Sequence, residues 1–323
     1  MSARLSEEPP IEEAIDVIKG DPAATAWRQA ARRHQAEWRL EHGLPAGTVT
    51  KPRTKEQKKA GEPIITRAIA SRIAIEAATE RKSNFLNDAV VAAVEARLNE
   101  RQEHQTLDTR RLYCDLLSSM PMCFNVFGPL YGDPAIAASA VAAWFPDMAI
   151  PDASVSVGFE WSPGRRDDRY LGDRTAFDAV LHIGEGRQHL VGIETKYHEY
   201  PIVERHKGGA PPIYRRVSDK AMLFRSPASV DEVWNTDLEQ VWRDHLLALA
   251  CRLHDDGWQR TKYVLVAPAG NPAWRPLVER YRELLTDEAA KTVEYRSLES
   301  LLDADVLPHA DLVRRRYLPD TSR

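Results

Sequence analysis

Residues 172–200 read GDRTAFDAVLHIGEGRQHLVGIETKYHEY, and this segment decides the fold. Two runs rich in β-branched, aromatic and other apolar residues, Thr175 to Ile183 and His189 to His198, stand on either side of a polar, glycine-containing loop. The loop, Gly184 to Gln188, has the length of a common hairpin connection. The segment therefore predicts a β-hairpin.

The register of this hairpin sets two carboxylates opposite one another. If Ile183 pairs with His189, the same register places Asp178 opposite Glu194. Their Cβ atoms would lie roughly 5 Å apart, and like charges directly opposite each other are destabilising. A divalent magnesium or manganese ion, which prefers oxygen ligands, would compensate them. Lys196, on the same strand face as Glu194, adds an ammonium group at this position.

Alternation along the hairpin also predicts which side chains are buried. In each strand one face is apolar and the other carries a carboxylate. The apolar faces comprise Phe177, Ala179, Leu181 and Ile183 in the first strand, and Val191, Ile193, Thr195 and Tyr197 in the second.

The composition is that of a globular protein with no general affinity for nucleic acid. The chain has 323 residues, 43% of them hydrophobic, and 8 tryptophans, which suffice for a large core. The net charge of −4 means that nucleic-acid binding would need a local basic patch. Three cysteines without CxxC spacing predict neither disulfides nor a zinc site. The acidic N-terminus and the lack of long apolar runs predict a cytoplasmic protein without a membrane segment.

The N-terminal third predicts helices and a linker. An acidic lead-in runs to about Gly20, and apolar residues at helical spacing predict an amphipathic helix over Thr25 to His42. The basic, proline-containing stretch Gly47 to Gly61 predicts a flexible linker. Helical periodicity then predicts two helices, Ile64 to Glu80 and Phe85 to Gln102.

The remainder alternates helices with strands. The apolar stretch Ser118 to Leu130 contains two prolines and a glycine, which predict a packed connector. A helix over Pro134 to Phe145 precedes a strand over Ala153 to Trp161. After the hairpin, a helix over Thr236 to His254 leads into a buried strand over Lys262 to Pro268.

Two basic loops flank the hairpin and suit phosphate groups. An alternative for the first loop is that its arginines pair with neighbouring aspartates, and the sequence leaves both possibilities open. The candidate nucleic-acid contacts are Arg165, Arg166 and Arg174 before the hairpin, and Arg215 and Arg216 after it.

This order of elements, helix, three strands, helix, strand, resembles the PD-(D/E)XK nuclease superfamily. The resemblance rests on Asp178 in the second strand and Glu194-Thr195-Lys196 in the third, and it spans about Leu107 to Pro272. Ala176-Phe177 precede Asp178, so the proline of the family's name is absent. The resemblance implies an α/β fold with a restriction-endonuclease-like core, αβββαβ, in which helices flank a central mixed sheet, extended by N-terminal helices.

The resemblance also implies roles for individual residues. Asp178 and Glu194 would bind the metal ion. Lys196 would orient the attacking water or stabilise the charge of the pentacovalent phosphate, which agrees with what phosphodiester hydrolysis requires. Gln240, at the start of the helix after the hairpin, resembles the glutamine that follows the motif in related nucleases.

Members of the superfamily often use a further acid, and here two candidates stay open. The helix directly before the first strand carries no glutamate. Glu160, at the end of the first strand, is closer in topology than Glu95, which lies in an earlier helix.

The predicted organisation has three parts. Residues 1–62 form an N-terminal helical and basic linker region, residues 63–106 form helices preceding the core, and residues 107–323 form the nuclease-like domain.

The predicted function is a magnesium- or manganese-dependent nuclease, with DNA favoured over RNA as the partner. The alternative is a catalytically inactive module of the same fold that binds nucleic acid or a protein partner. The sequence leaves open the mode of cutting, the sequence specificity and the oligomeric state.

Overall fold

The computed structural model describes residues 22–50, 53–62, 66–101, 104–105 and 107–319. The acidic lead-in predicted for the first twenty residues lies outside this range. The N-terminal elements are α1 (Pro22–Glu41), β1 (Ala46–Thr50), α2 (Lys55–Lys59), β2 (Thr66–Ile73), α3 (Ile75–Arg81), α4 (Asp88–Asn99) and α5 (Thr109–Cys114).

The core follows. Its elements are α6 (Ser119–Tyr131), α7 (Pro134–Trp144), β3 (Val155–Trp161), β4 (Phe177–Ile183), β5 (His189–Thr195), α8 (Pro212–Lys220), α9 (Ser229–Val233), α10 (Glu239–Leu253), β6 (Arg260–Ala267), α11 (Trp274–Glu283), α12 (Asp287–Ala290), β7 (Val293–Ser297), α13 (Leu298–Leu302) and α14 (Ala310–Tyr317).

The centre of the molecule is a five-stranded mixed sheet in the order β3-β4-β5-β6-β7. The first three strands pair antiparallel, whereas β6 and β7 run parallel to β5. Helix α10 makes the crossover between β5 and β6 and packs against both strands. The predicted α/β class, with helices on a mixed sheet and the order αβββαβ, is confirmed.

The register of the hairpin is the one that the sequence predicts. Ile183 pairs with His189 and Ala179 pairs with Ile193. Asp178 and Glu194 are the next positions in this register, at the end of the paired ladder. The two carboxylates therefore lie where the hairpin opens.

Apolar side chains cover both faces of the sheet, so the prediction of one apolar face per strand is wrong. On one face Ala179, Leu181 and Ile183 join the apolar cluster that also contains residues of α6 and α7. On the other face Phe177 and Val180 join a second cluster with residues of α10 and α11. Phe177 thus lies opposite to its predicted face. Its ring occupies the space over Gly192, where an added Cβ atom would lie 2.5 Å from the ring carbons.

The N-terminal predictions need two corrections. The predicted linker, Gly47 to Gly61, contains most of β1 and all of α2, and the predicted helix from Ile64 to Glu80 consists of β2 followed by α3. Strands β1 and β2 pair antiparallel with each other. Residues 66–73 therefore satisfy their backbone groups by pairing with β1, and they do not form the predicted helix.

The predicted connector Ser118 to Leu130 is instead helix α6, buried over nearly its whole length. The Ser118 hydroxyl caps it by accepting from the Met120 amide. Pro121 falls in the first turn, where an amide has no intrahelical partner, so only Pro129 lies in the helix interior. A composition typical of a loop is therefore compatible with this helix.

Helix α1 packs on the core rather than standing apart from it. The Trp27 indole donates to the backbone carbonyl of Tyr197 at 3.3 Å. The Gln35 amide donates to the Tyr197 hydroxyl and to the Arg316 carbonyl, each at 2.7 Å. The proposed division at residues 62 and 106 stays a prediction, and these contacts cross it.

None of the helices in the described parts of the chain is both long enough and apolar enough to cross a membrane. The predicted cytoplasmic location stays a prediction.

Candidate active site

A polar cleft of about 400 Å³ opens where β3 and β5 end and β4 begins, and residues of α8 and α10 also line it. It gathers residues from all five elements and from the loop before β4. Five of the predicted site residues line it, together with three further acidic or aromatic groups: Glu160, Arg174, Asp178, Glu194 and Gln240, with Asp173, Tyr214 and Asp244.

Asp178 is held across the hairpin by the segment that carries Glu194. Its Oδ2 accepts a hydrogen bond from the Thr195 amide at 2.8 Å and another from the Thr195 hydroxyl at 2.6 Å. Bonds of this kind to a carboxylate fix its orientation. The position of Asp178 relative to Glu194 is therefore set by the backbone of the hairpin.

Glu194 and Lys196 form a buried ion pair. The Lys196 ammonium lies 2.6 Å from Glu194 Oε1, and the Gln240 amide donates to the same oxygen at 3.1 Å. The ammonium also stands 5.3 Å from the ring centre of Trp274. The structure thus brings together three residues that the sequence predicts to act in one site.

The cleft contains more negative charge than its own cations balance. Burial, and then the charge of Asp178, raise the pKa of Glu194 well above its usual value. The same two causes raise the pKa of Glu160 to about 7. Burial alone would lower the pKa of Lys196, but the surrounding carboxylates, Glu194 first, outweigh it and raise that pKa. Oxygen donors in such an electrostatic environment suit a divalent cation.

Glu160 adopts an unusual backbone conformation at the edge of the cleft. Phe159 pairs with Ala179 and Trp161 with Phe177, so the register places Glu160 beside Asp178. Its φ of 46° lies in the left-handed region, which is costly for a residue with a side chain.

Two arginines hold this conformation. Arg165 donates to the Glu160 carbonyl at 2.8 Å, and Arg97 donates to it at 3.3 Å. Arg97 also donates to the Phe159 carbonyl at 2.6 Å. The Glu160 carboxylate is thereby presented to the cleft.

The other candidate for the third acid lies elsewhere. Glu95 is exposed on α4, forms an ion pair with Lys82 and does not line the cleft. Of the two candidates for the third acid, Glu160 is therefore the one that lies next to Asp178.

Asp244 is a site residue that sequence reasoning missed. It lies on α10, is buried, and lines the cleft beside Gln240. Burial raises its pKa to about 6, even though Arg243 and Lys196 act in the opposite direction. The signal was available, because Gln240 and Asp244 are four residues apart and so share one face of a helix.

Asp173 and Tyr214 close another side of the cleft. The Tyr214 hydroxyl donates to the Asp173 carboxylate. Burial, followed by the charge of Asp173, raises the pKa of Tyr214, which therefore stays a neutral donor. Tyr214 belongs to the basic loop region after the hairpin, but neither residue was predicted for the site.

The predicted basic residues before the hairpin divide into different environments. Arg174 is exposed and lines the cleft. Arg166 is also exposed. The Arg165 side chain is 5% exposed, and its guanidinium lies 3.6 Å from the Glu160 carboxylate. Of these three arginines, Arg174 is therefore the one that lies at the cleft.

The two predicted arginines after the hairpin lie on α8. Arg215 forms an ion pair with Asp231, and Arg216 donates to the backbone carbonyl of Asp168 at 3.1 Å. Neither lines the cleft. Their role in binding nucleic acid stays a prediction.

A different group of side chains has the spacing of a metal site. Within the described ranges, Glu204, His206 and Glu239 each bring one ligand atom to within 4.8 Å of the others, and the carboxylates of the cleft form no such trio. Arg243 stands 3.5 Å from Glu204 and 3.9 Å from Glu239, so a cation already lies beside this group. The sequence did not predict this arrangement.

Comparison with known proteins identifies one family. A family model described as the PD-(D/E)XK nuclease superfamily matches residues 22–319, a range that includes α1 and every residue of the cleft. Curated proteins and solved structures gave no match to the chain.

Proposed function

Since this chain belongs to the PD-(D/E)XK nuclease superfamily, we propose that it is a metal-dependent nuclease that hydrolyses phosphodiester bonds, with DNA favoured over RNA. The observation that carries the proposal is the convergence of Asp178, Glu194 and Glu160 on one cleft, with the Lys196 ammonium 2.6 Å from Glu194. Carboxylates and a lysine in this combination meet the needs of phosphodiester hydrolysis.

The metal ion would be magnesium or manganese, held by Asp178 and Glu194, with Glu160 as the third acid. The donors are all oxygen atoms, which these ions prefer. The raised pKa values of Glu194 and Glu160 support this assignment, because burial and then the charge of Asp178 disfavour both carboxylates, and a bound cation would favour them. A divalent cation bound there would supply Lewis acidity and charge neutralisation to the phosphate.

Lys196 would act on the substrate directly. Its ammonium can donate a hydrogen bond to the attacking water or to a phosphate oxygen, where it stabilises the charge that develops in the transition state. Gln240 would keep the Glu194 carboxylate in place through its amide. Asp244 would act through its neighbours Lys196 and Arg243, whose charges it balances.

Cleavage assays test this proposal. Wild-type protein with Mg²⁺ or Mn²⁺ is expected to cut at least one of plasmid, linear duplex, single-stranded DNA and RNA, whereas Asp178→Ala and Lys196→Ala are expected to be inactive. Glu95→Ala is the matched control, because it removes an exposed carboxylate outside the cleft. Activity that survives both site substitutions would contradict the proposal. Metal-independent binding without cleavage would favour the inactive-module alternative.

A binding experiment locates the metal ion. The protein is titrated with Mn²⁺, and electron paramagnetic resonance measures the concentration of free ion. We expect a binding site in the wild type that Asp178→Asn removes. The variant His206→Ala, which dismantles the group of Glu204, His206 and Glu239, is expected to keep that site. The opposite pattern would place the ion outside the cleft.

A further inference from the structure

A second cleft, of about 330 Å³, lies between the N-terminal elements and the core. Arginine is the most frequent residue in its lining, and we call it the basic cleft. The arginines come from three elements that precede the core sheet: Arg28 and Arg32 from α1, Arg72 from β2, and Arg111 from α5.

The basic cleft has an excess of positive charge. Two carboxylates line it, and each already has an arginine partner. Arg72 lies 3.1 Å from Asp115, and Arg111 lies 2.8 Å from Glu199. Four guanidinium groups and two carboxylates line the basic cleft, and guanidinium groups bind phosphate oxygens with paired, charge-assisted hydrogen bonds.

A buried polar atom without a partner points to a ligand. His198 lines the basic cleft and is only 6% exposed. Its Nε2 has no hydrogen-bond partner among the described residues, and neither has Nε of Arg28. Burial, followed by the charges of Arg32 and Arg28, lowers the pKa of His198 to about 3, so the imidazole is neutral. Buried polar atoms in folded proteins normally have partners. Arg28 Nε can donate to a ligand oxygen directly, and His198 Nε2 can do so once the negative charge of a bound phosphate favours the protonated ring.

The basic cleft adjoins the candidate active site. His198 and Glu199 follow Lys196 almost directly in the chain. The Glu199 carboxylate accepts from the Ser119 amide at 3.0 Å. The Ser119 carbonyl lies 3.3 Å from the Thr195 hydroxyl, which donates to Asp178 of the active-site cleft at 2.6 Å. One nucleic-acid strand could therefore contact both clefts.

We propose that the basic cleft binds a phosphate group of the nucleic-acid substrate and so positions the strand that is cut. This inference rests on the proposed nuclease function for the identity of the ligand. It assigns a role to α1 and β2, the elements that bring Arg28, Arg32 and Arg72 to the core.

Binding without metal tests the inference separately from catalysis. The probe is a fluorescein-labelled oligonucleotide, as duplex DNA, single-stranded DNA or RNA, titrated in EDTA over a series of KCl concentrations. The variant Arg28→Gln/Arg32→Gln retains much of each side chain's length and polarity. We expect it to bind on the order of tenfold or more weakly. The slope of log K against log[KCl] should be smaller by about one to two units, because fewer counterions are released when fewer phosphate contacts form.

Two further variants provide a control and a second, independent test. The double variant Arg225→Gln/Arg314→Gln removes two arginines whose ion pairs, with Asp287 and Asp303, lie outside both clefts. It is expected to bind like the wild type. His198→Asn is expected to weaken binding as well, so the inference stays testable if the substitutions on α1 impair folding.

Substrates with different ends show whether the basic cleft holds a terminal or an internal phosphate. Cleavage is compared for DNA with a 5′-phosphate, a 3′-phosphate or no terminal phosphate, and for closed circles. If the arginine substitutions raise KM only for one phosphorylated end, the basic cleft holds a strand terminus. If they raise KM equally for all substrates, it holds an internal phosphate.

The two proposals fail in different ways. If the wild type cuts, and the Arg28/Arg32 variant binds and cuts like it, the basic cleft is not a phosphate site although the nuclease function holds. If no metal supports cutting, but the variant still loses binding and salt dependence, the nuclease function fails and the phosphate site stands. Absence of oligonucleotide binding by the wild type would overturn the phosphate site.

Discussion

Lys196 and Glu194 are each nearly inaccessible to solvent, and taking both charges out of water costs several kcal/mol per ion. Their 2.6 Å contact offsets part of that cost. Apolar residues in the same space could pack as stably. The pair is therefore better explained by chemistry at the cleft than by stability.

Removing the lysine should show how much the ion pair contributes to catalysis and how much to stability. Lys196→Met leaves Glu194 buried without its ion partner, so we expect a loss of about 3 kcal/mol in the free energy of unfolding. Cleavage should fall by about 10²- to 10³-fold, as for other lost donors to a transition state. Urea denaturation and initial cleavage rates provide the two measurements.

The double variant Lys196→Met/Glu194→Gln provides the control. It removes both charges, so its stability should return towards that of the wild type while cleavage stays lost. Equal destabilisation of the single and double variants would show that the ion pair is not the source of the effect.

A buried histidine makes stability depend on pH. His245 bonds to the Tyr281 hydroxyl at 3.0 Å and to the Thr292 hydroxyl at 2.8 Å. Burial lowers its pKa from 6.5 to about 3. Between these pH values the unfolded chain binds a proton that the folded protein excludes, so stability falls as the pH falls.

We expect this effect to appear as a difference between proteins. From pH 6.5 to pH 5.0, the wild type should lose roughly 1.5 kcal/mol more of its unfolding free energy than His245→Gln does. Titration of the cleft carboxylates is common to both proteins and cancels in the comparison. Urea denaturation at the two pH values gives the measurement, and parallel losses would refute a neutral buried His245.

At the scale of elements, the hairpin of β4 and β5 depends on close packing at one glycine. Gly192 lies two residues before Glu194, and the Phe177 ring packs directly over it. Phe177 directly precedes Asp178. The positions of Asp178 and Glu194 therefore depend on this one contact.

Gly192→Ala should overpack the hairpin. The added methyl group would lie 2.5 Å from the Phe177 ring, and we expect a loss of about 1–3 kcal/mol in unfolding free energy. Cleavage should fall as well, because Asp178 shifts with its neighbour. Chemical denaturation and activity assays measure the two effects.

Two variants control for this interpretation. Gly132→Ala adds the same methyl group where no other atom lies within 4 Å, so its stability should be close to that of the wild type. Phe177→Leu in the Gly192→Ala background should recover part of the lost stability. A harmless Gly192→Ala substitution would mean that the Phe177 ring moves freely.

At the scale of the whole molecule, the N-terminal elements complete the core. Trp27 of α1 and Phe85, Val90 and Val94 belong to the same apolar cluster as the sheet residues of β3, β4 and β5. At Gly128 an added Cβ atom would lie 3.0 Å from the Val90 backbone, so α4 and α6 are in close contact. Helices α1 and α4, with Phe85 before α4, therefore cover surface that the sheet domain would otherwise expose.

Truncation should reveal this dependence. The fragment 107–323 is expected to bind the dye ANS and to unfold at lower urea concentration than the full chain, because part of its core faces water. The fragment 22–319, which the family model matches, is expected to unfold like the full chain. A fully stable, dye-free fragment 107–323 would instead support an independent domain at the predicted boundary.

The sequence by itself determined the hairpin, its register and the carboxylates that it brings together. These features are local, since a short loop and strand alternation constrain residues close in the chain. The tertiary structure decided which sheet face Phe177 occupies, that β1 pairs with β2, and that Asp244 and the arginines of α1 lie beside the hairpin. Those outcomes depend on packing between segments that are not adjacent in the chain. Helical spacing places Asp244 on the same face as Gln240, but no local pattern shows that this face meets the hairpin.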